Sequence, residues 1–192
     1  MDQQAIHAHL AAAATAPESN AKGKAYEALV AYLFSSVPGC IVEPGITNVF
    51  GTEQIDIAVG NLTTENGLYL FPRIFLVECK DWDQPVDSKT VGYFLNILAG
   101  RSIDVGVLVA ANGITGNLAD TTHAHALGLA AAARGIKLIV ITTDEVTAMS
   151  STPQFVELLH RRLLRAYATG TIGAPTPDEQ RPWITTQVRR DG

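Results

Sequence analysis

The sequence has little of what marks secreted, membrane or zinc-binding proteins. Its two cysteines, Cys40 and Cys79, stand far apart and lack the spacing of a disulfide framework or a zinc site. No run approaches the roughly 18 apolar residues that span a bilayer, and the start Met1-Asp2-Gln3-Gln4 lacks the positive charge of a signal peptide. We therefore expect a cytoplasmic protein without a membrane partner, in which both cysteines are small core residues.

A strongly basic charge is also absent. The 192 residues include 14 Lys and Arg against 19 Asp and Glu, for a formal net charge of −5. Affinity for phosphates comes largely from Lys and Arg. The charge therefore argues against a protein that holds nucleic acid mainly through a basic surface, but it does not exclude a nuclease. With 47% hydrophobic and 17% charged residues, the chain has the composition of a single globular domain.

Hydrophobic periodicity in the first half predicts two helices followed by strands. The first helix covers residues 2–14, and the second runs from a cap at Ser19 or Asn20 to about Ser36. Three short apolar runs then predict consecutive strands of one meander. These runs are Cys40–Val42, Ile55–Val59 and Ile74–Cys79.

The second half alternates helix and strand. After a helix that follows the meander, continuous apolar runs at Val105–Ala111 and Ile136–Ile141 predict buried parallel strands. A helical crossover over about Leu118–Arg134 joins them, because parallel strands need such a connection. A last helix is predicted over Pro153–Ala168.

These elements predict one α/β domain over residues 1–168. Its core covers residues 20–145, with flanking helices at 2–14 and 153–168. The remaining residues 169–192 contain Pro175, Pro177 and Pro182 and are predicted to form a loosely ordered tail.

Charged residues interrupt the apolar strands at two places. Because side chains alternate along a strand, Glu78 and Lys80 point to the same side of the third strand. Asp56 interrupts the preceding strand, and a hairpin connection would place it near Glu78. Two carboxylates on neighbouring strands predict a site for a hard cation such as Mg²⁺, to which the carbonyl of Cys79 could add a further oxygen.

Lys80 and the second helix supply the other groups of this predicted site. Lys80 would sit beside metal-bound water, where it could orient the water, assist its deprotonation or stabilise charge on a phosphate. Glu27 could approach the same cleft from the helix and bind a second metal or its waters. Lys22 and Lys24, close by on that helix, would add positive potential for phosphate.

The ordered set of motifs resembles the Mrr-like branch of the restriction-endonuclease, or PD-(D/E)xK, superfamily. The resemblance covers about residues 20–145. Its motifs are a helix with Lys22-Gly23-x-x-Tyr26-Glu27, then Gln54-Ile55-Asp56, then Val77-Glu78-Cys79-Lys80, then helix-strand-helix-strand. Many Mrr-like members carry Gln at the strand acid, whereas this chain keeps Glu78.

The resemblance implies an α/β/α sandwich around a mixed sheet and a metal-dependent DNA endonuclease that acts in defence against foreign DNA. By it, Asp56 and Glu78 are metal ligands, Lys80 is the catalytic lysine and Glu27 is the helix acid. The cofactor would be Mg²⁺, for which Mn²⁺ can substitute. Restriction enzymes of this branch usually carry a separate DNA-reading domain, and this chain has no evident space for one. A separate recognition partner and a homodimer therefore stay open.

Two other functions are compatible with the same motifs. A structure-selective nuclease similar to archaeal Holliday-junction resolvases shares the helix acid and the Asp…Glu-x-Lys order. A nuclease-fold module that binds DNA or a protein without cleaving is the second alternative, and it agrees with the acidic net charge.

The remaining polar motifs have simpler interpretations. Gln84, Ser88 and Lys89 lie at the start of the helix after the third strand, where backbone N–H groups favour phosphate, and are secondary candidates for substrate binding. His123 and His125 are two apart on a predicted helix and make a poor metal pair. The loop 112–116 predicts a tight strand-to-helix turn. On the last helix, His160, Arg161, Arg162 and Arg165 predict a basic strip that is a solvated face or a contact to DNA.

Overall fold

The structure is a computed structural model, and it describes residues 1–48, 51, 53–116, 123–170 and 172. No helix in these ranges is long and apolar enough to cross a membrane. In chain order the elements are α1 (Gln3–Thr15), α2 (Ser19–Ser35), β1 (Cys40–Thr47), β2 (Gln54–Asn61), β3 (Ile74–Lys80), α3 (Ser88–Gly100), β4 (Val105–Ala110), α4 (Ala124–Ala133), β5 (Lys137–Ile141), α5 (Thr143–Thr147) and α6 (Thr152–Thr169).

The five strands form one mixed sheet in the order β1-β2-β3-β4-β5. β1, β2 and β3 pair antiparallel, whereas β3, β4 and β5 pair parallel. The predicted meander and helical crossovers are therefore confirmed. β1 is longer than predicted, because Pro44 and Gly45, which read as a strand end, are accommodated on an edge strand. Gly45 has a φ of 67°, a backbone conformation that favours glycine.

Helices cover both faces of the sheet, which confirms the predicted α/β/α sandwich. On one face, Phe75 and Val77 of β3 join a core with α1, α2 and α6. On the other face, Leu76 and Leu108 pack with α3 and α4. Helix α3 approaches β4 so closely that a Cβ at Gly106 would lie 2.5 Å from a methyl group of α3. Alternation along β3 thus divides its side chains between two cores.

Several predicted element boundaries are corrected. Glu18, not Ser19 or Asn20, is the residue before α2, and its side chain makes no capping bond. The short α5 was not predicted, because five residues are too few for a periodic pattern; a capping box of Thr142 and Glu145 starts it. Helix α4 begins later than the predicted Leu118, although residues 117–122 lie outside the described residues.

The predicted domain ends at residue 168, within the last turn of α6. Thr169 still belongs to α6, which ends at Gly170 in the left-handed conformation. Ile172 is buried beside Gly128 of α4, where an added Cβ would lie 2.3 Å from the Ile172 side chain. The folded unit therefore extends at least to Ile172. The tail predicted for residues 173–192 lies outside the described residues.

The basic strip predicted on the last helix does not form. Arg162 is buried and paired with Glu145, and His160 is buried with its ring 4.4 Å from that of Tyr69. Arg161 stays on the surface, where it forms an ion pair one turn away along α6. The charge pattern of the sequence gave a wrong prediction here, because Arg162 and His160 are buried against partners that are distant in sequence.

Candidate active site

Asp56 and Glu78 lie on neighbouring strands at the same level of the sheet. The antiparallel register that pairs Ile57 with Val77 brings these two acids beside each other one residue further along. Oδ2 of Asp56 accepts a hydrogen bond of 2.8 Å from the backbone N–H of Cys79. This bond fixes the orientation of one carboxylate against the strand that carries the other.

Lys80 links the two carboxylates. Its Nζ lies 2.5 Å from Oε1 of Glu78 and 3.9 Å from Oδ2 of Asp56. Asp56 is only 7% exposed and Glu78 8%, so both charges would be costly without a partner. The ammonium supplies that partner, and the three residues form a compact charged cluster at the carboxyl end of β3, which we call the strand triad.

Helix α2 brings Glu27 close to the strand triad. Burial and the negative charge of Asp56 raise the pKa of Glu27, while the charges of Lys80 and Lys24 oppose the rise. These electrostatic effects show that Glu27 lies within the field of the triad. The preceding residue, Tyr26, is buried and its Oη lies 2.7 Å from Oγ1 of Thr143, at the start of α5. That hydrogen bond anchors α2 next to the glutamate.

The pKa values of Glu78 and Lys80 are shifted by their burial and by the neighbouring charges. Burial and the charge of Asp56 raise the pKa of Glu78, and Lys80 opposes this rise. Burial alone would lower the pKa of Lys80, but the charges of Glu78 and Asp56 outweigh it, so that its pKa is raised. Lys80 is therefore an ammonium throughout the neutral pH range.

The donor set suits a hard divalent cation. Three carboxylates and one ammonium leave an excess of two negative charges, which one divalent ion would balance. Mg²⁺ is commonly held by one or two carboxylates together with waters and substrate phosphates, so Asp56 and Glu78 suffice. Among the described residues, no group of three Asp, Glu, His or Cys side chains is arranged to hold a metal ion. A metal-binding role for Glu27 stays a prediction.

The lysines of α2 are placed differently from each other. Nζ of Lys22 lies 3.3 Å from Asp83 and 3.8 Å from Asp81, so its charge is shared with the segment after β3. Lys24 is exposed and acts on Glu27 through its charge. Binding of a phosphate by either lysine stays a prediction.

The start of α3 is already occupied by an acidic side chain. Asp87 caps the helix, and its Oδ1 accepts a 2.8 Å hydrogen bond from the backbone N–H of Thr90. This bond lowers the pKa of Asp87. A phosphate arriving at this helix end would meet that negative charge, which disfavours the predicted mode of binding. Gln84 and Lys89 are exposed there and Ser88 is half-buried, so their role in binding substrate stays a prediction.

Sequence reasoning passed over the residues that brace the site. Asp81 and Asp83 hold Lys22, and Thr143 holds Tyr26. Asp81 and Asp83 directly follow the Glu-x-Lys motif, so this charge pattern could have identified them in the sequence. The Thr143 contact had no sequence signal, because 117 residues separate its partners.

A family model agrees with this geometry. The model of the Mrr catalytic domain, described as restriction endonuclease, matches residues 19–149. The chain belongs to the Mrr-like restriction endonucleases. A search of curated proteins gives no match. The family match begins at α2 and ends just after α5, so it contains Glu27, the whole strand triad and Thr143. For this nuclease family the substrate is DNA.

Proposed function

We propose that this protein is a metal-dependent DNA endonuclease that hydrolyses phosphodiester bonds. Asp56 and Glu78 would hold Mg²⁺, with the carbonyl of Cys79 as a further oxygen ligand, and Mn²⁺ can substitute. Glu27 would bind metal-associated water or a second ion. As in other restriction-type nucleases, the biological role would be defence against foreign DNA.

One observation carries this proposal: two buried carboxylates, fixed on adjacent strands, share a single ammonium. As a purely structural ion pair this arrangement is poor, because burial costs several kcal/mol per charge and one lysine cannot balance two acids. A site built for a divalent ion has this excess of negative charge. The family match over the same residues supports the same function.

Each residue has a definable task in phosphodiester hydrolysis. When bound, the ion would polarise a phosphoryl oxygen and lower the pKa of an attacking water. Asp56, whose orientation the N–H of Cys79 fixes, and Glu78 would hold the ion. Lys80 remains protonated because of its raised pKa, so it can donate hydrogen bonds to the phosphoryl oxygens as negative charge develops there.

A plasmid assay tests the proposal. The purified chain should nick or linearise supercoiled DNA in Mg²⁺ or Mn²⁺ and not in EDTA. Asp56→Asn and Lys80→Ala should each reduce the rate by at least about 100-fold, since each removes a group that stabilises the transition state. Asp104→Asn, an exposed aspartate of the turn before β4, is the matched control and should cut at the wild-type rate. Undiminished cutting by Asp56→Asn or Lys80→Ala would contradict the assignment.

Two further measurements separate the alternatives. A nuclease-fold binding module should bind DNA but neither cut it nor bind Mn²⁺ in calorimetric titration. A junction-selective enzyme should cut four-way junctions much faster than linear or supercoiled DNA offered side by side. For the defence role, phage should form plaques less efficiently on cells that make the wild-type chain than on cells that make Lys80→Ala.

A further inference from the structure

Trp82 lies directly beyond the strand triad and has no part in the function proposed above. It follows Lys80 by two residues, in the segment between β3 and α3. Its residue surface is 43% exposed. The residue is thus open to solvent in the segment that directly follows the strand triad, at the end of the sheet where a DNA strand must lie for cleavage.

The backbone of Trp82 is held from two directions. Its carbonyl accepts a hydrogen bond of 2.6 Å from Nδ2 of Asn112, in the loop after β4. The residues on either side, Asp81 and Asp83, both pair with Lys22 of α2. Two elements far apart in sequence therefore fix the chain at the position from which the indole projects.

Further along, the same segment is tied to the loop after β4 by backbone bonds. The N–H of Val86 donates to the carbonyl of Gly113 at 2.8 Å, and the N–H of Thr115 donates to the carbonyl of Val86 at 2.9 Å. An aromatic ring on a braced segment loses little conformational entropy when it binds a ligand, which favours its use as a contact residue.

The charge of this segment disfavours a phosphate as the ligand. Asp81, Asp83 and Asp87 lie within seven residues of chain, and Lys22 is the cation paired with two of them. These carboxylates make the segment itself a poor binding site for a phosphate, so a DNA strand that reaches the triad would contact the segment through its bases. What the segment offers to a nucleic acid is the face of the indole, and aromatic faces bind the faces of unstacked bases.

We propose that Trp82 stacks on an unpaired base next to the phosphodiester that is cut, and that the substrates of this site are DNAs with unpaired bases, such as gaps, flaps and single strands. In continuous duplex, neighbouring base pairs cover both faces of each base, and exposing one costs a few kcal/mol. In gapped or flapped DNA some bases are already unstacked, so no free energy is needed to expose their faces. For cleavage, though not for binding, the inference rests on the proposed nuclease function.

Tryptophan fluorescence tests the contact directly. The chain has two tryptophans, and the other is Trp183, which lies outside the described residues. In full-length Trp183→Phe, Trp82 is therefore the sole reporter. This protein is titrated with a blunt duplex and with the same sequence carrying a short single-stranded gap. Ca²⁺ replaces Mg²⁺, and the DNA is recovered to check that it is intact. We expect gapped DNA to quench the fluorescence at least twofold more than duplex does.

Variants separate stacking from simple burial. Trp82→Leu keeps an apolar side chain but removes the ring, and it should weaken binding of gapped DNA about tenfold, as loss of one base–aromatic stack does. Trp82→Phe keeps a ring and should restore most of the affinity. Tyr93→Ala removes an aromatic residue of α3 that is 53% exposed and should leave binding unchanged. Thermal melting shows whether each variant is folded.

The outcomes for Trp82 and for the nuclease function are distinguishable. Gap-dependent quenching by a protein that cuts nothing in Mg²⁺ supports the stacking contact and contradicts the nuclease proposal. Cleavage of plasmid without gap-dependent quenching, or with equal affinities for wild type and Trp82→Leu, overturns the stacking contact alone. Equal quenching by duplex and gapped DNA also overturns it.

Discussion

Replacement of Lys80 by methionine would remove the ammonium between Glu78 and Asp56 while keeping a side chain of similar length. The two carboxylates are almost fully buried, and the ammonium lies within 4 Å of both. Lys80→Met therefore leaves two neighbouring acids without their counter-ion. The main consequence should be a loss of stability that depends on pH and on divalent ions.

The size of the loss can be estimated from the burial of the three groups. Removal of one partner of a fully buried ion pair costs about 3–5 kcal/mol. The side chain of Lys80 is 21% exposed, so water partly screens the remaining charges. We expect a decrease in the free energy of unfolding of about 2–3 kcal/mol at pH 8. For a domain of this size, this corresponds to a fall in Tm of roughly 4–12 °C.

The pH dependence follows from Glu78. Burial and the charge of Asp56 already raise its pKa, and loss of Lys80 removes the opposing charge and raises it further. A carboxyl group whose pKa is higher in the folded than in the unfolded protein favours folding below its unfolded-state pKa. That contribution is lost as the pH rises through the folded-state pKa. The deficit of Lys80→Met should therefore be small near pH 5 and grow toward pH 8.

Thermal melts and urea titrations between pH 5 and pH 8 measure this deficit. The matched control is Lys89→Met, which removes an exposed lysine of α3 and should change stability little at any pH. Saturating Mg²⁺ at 100 times its Kd should stabilise Lys80→Met by about 2.7 kcal/mol, which would bring it back to about the stability of the metal-free wild type at pH 8. If Lys80→Met is as stable as Lys89→Met at pH 8 without metal, the reasoning about the charge excess is refuted.

Four other substitutions test the surroundings of the triad. Glu27→Gln should raise the Mg²⁺ concentration needed for half-maximal cleavage by several-fold, because the carboxylate would bind metal-associated water or a second ion. It should leave stability nearly unchanged, because Glu27 is only half-buried. A metal titration of plasmid nicking measures the first effect. Tyr26→Phe and Thr143→Val should each cost about 1 kcal/mol of stability in urea titrations, with the double variant costing no more than the larger single change. Glu145→Gln leaves the buried guanidinium of Arg162 without its carboxylate and should cost about 3 kcal/mol, measured by the same titrations, while cleavage by the folded fraction stays normal.

The linear sequence was sufficient to predict which charged residues of the strands meet at the end of the sheet. Alternation along a strand places Glu78 and Lys80 on one side. The apolar residues around Asp56 indicate that this acid lies within a buried strand. Both predictions use local information, because the side-chain period of a strand and its burial can be inferred from neighbouring residues. The order of elements then restricts how strands 1 to 5 can pair, since hairpins give antiparallel neighbours and helical crossovers give parallel ones.

Local patterns were insufficient where a charged side chain has a distant partner. Lys22 looked like a cation for phosphate, but aspartates about 60 residues away share its charge. Arg162 looked like part of an exposed strip, but Glu145 on another helix pairs with it inside the protein. A charged residue in the sequence indicates that a partner of opposite charge is needed. Only the packing of helices against the sheet determines which group is that partner.

The sequence by itself thus determined the fold class, the strands that carry the acids and the residue types at the site. Tertiary structure alone decided that Lys80 lies between the two carboxylates and that Trp82 is held on a braced segment. The physical reason is the separation in sequence of the residues that determine each property. Hydrophobic periodicity depends on residues a few positions apart, whereas the free energy of a buried charge depends on groups that folding brings within a few ångströms.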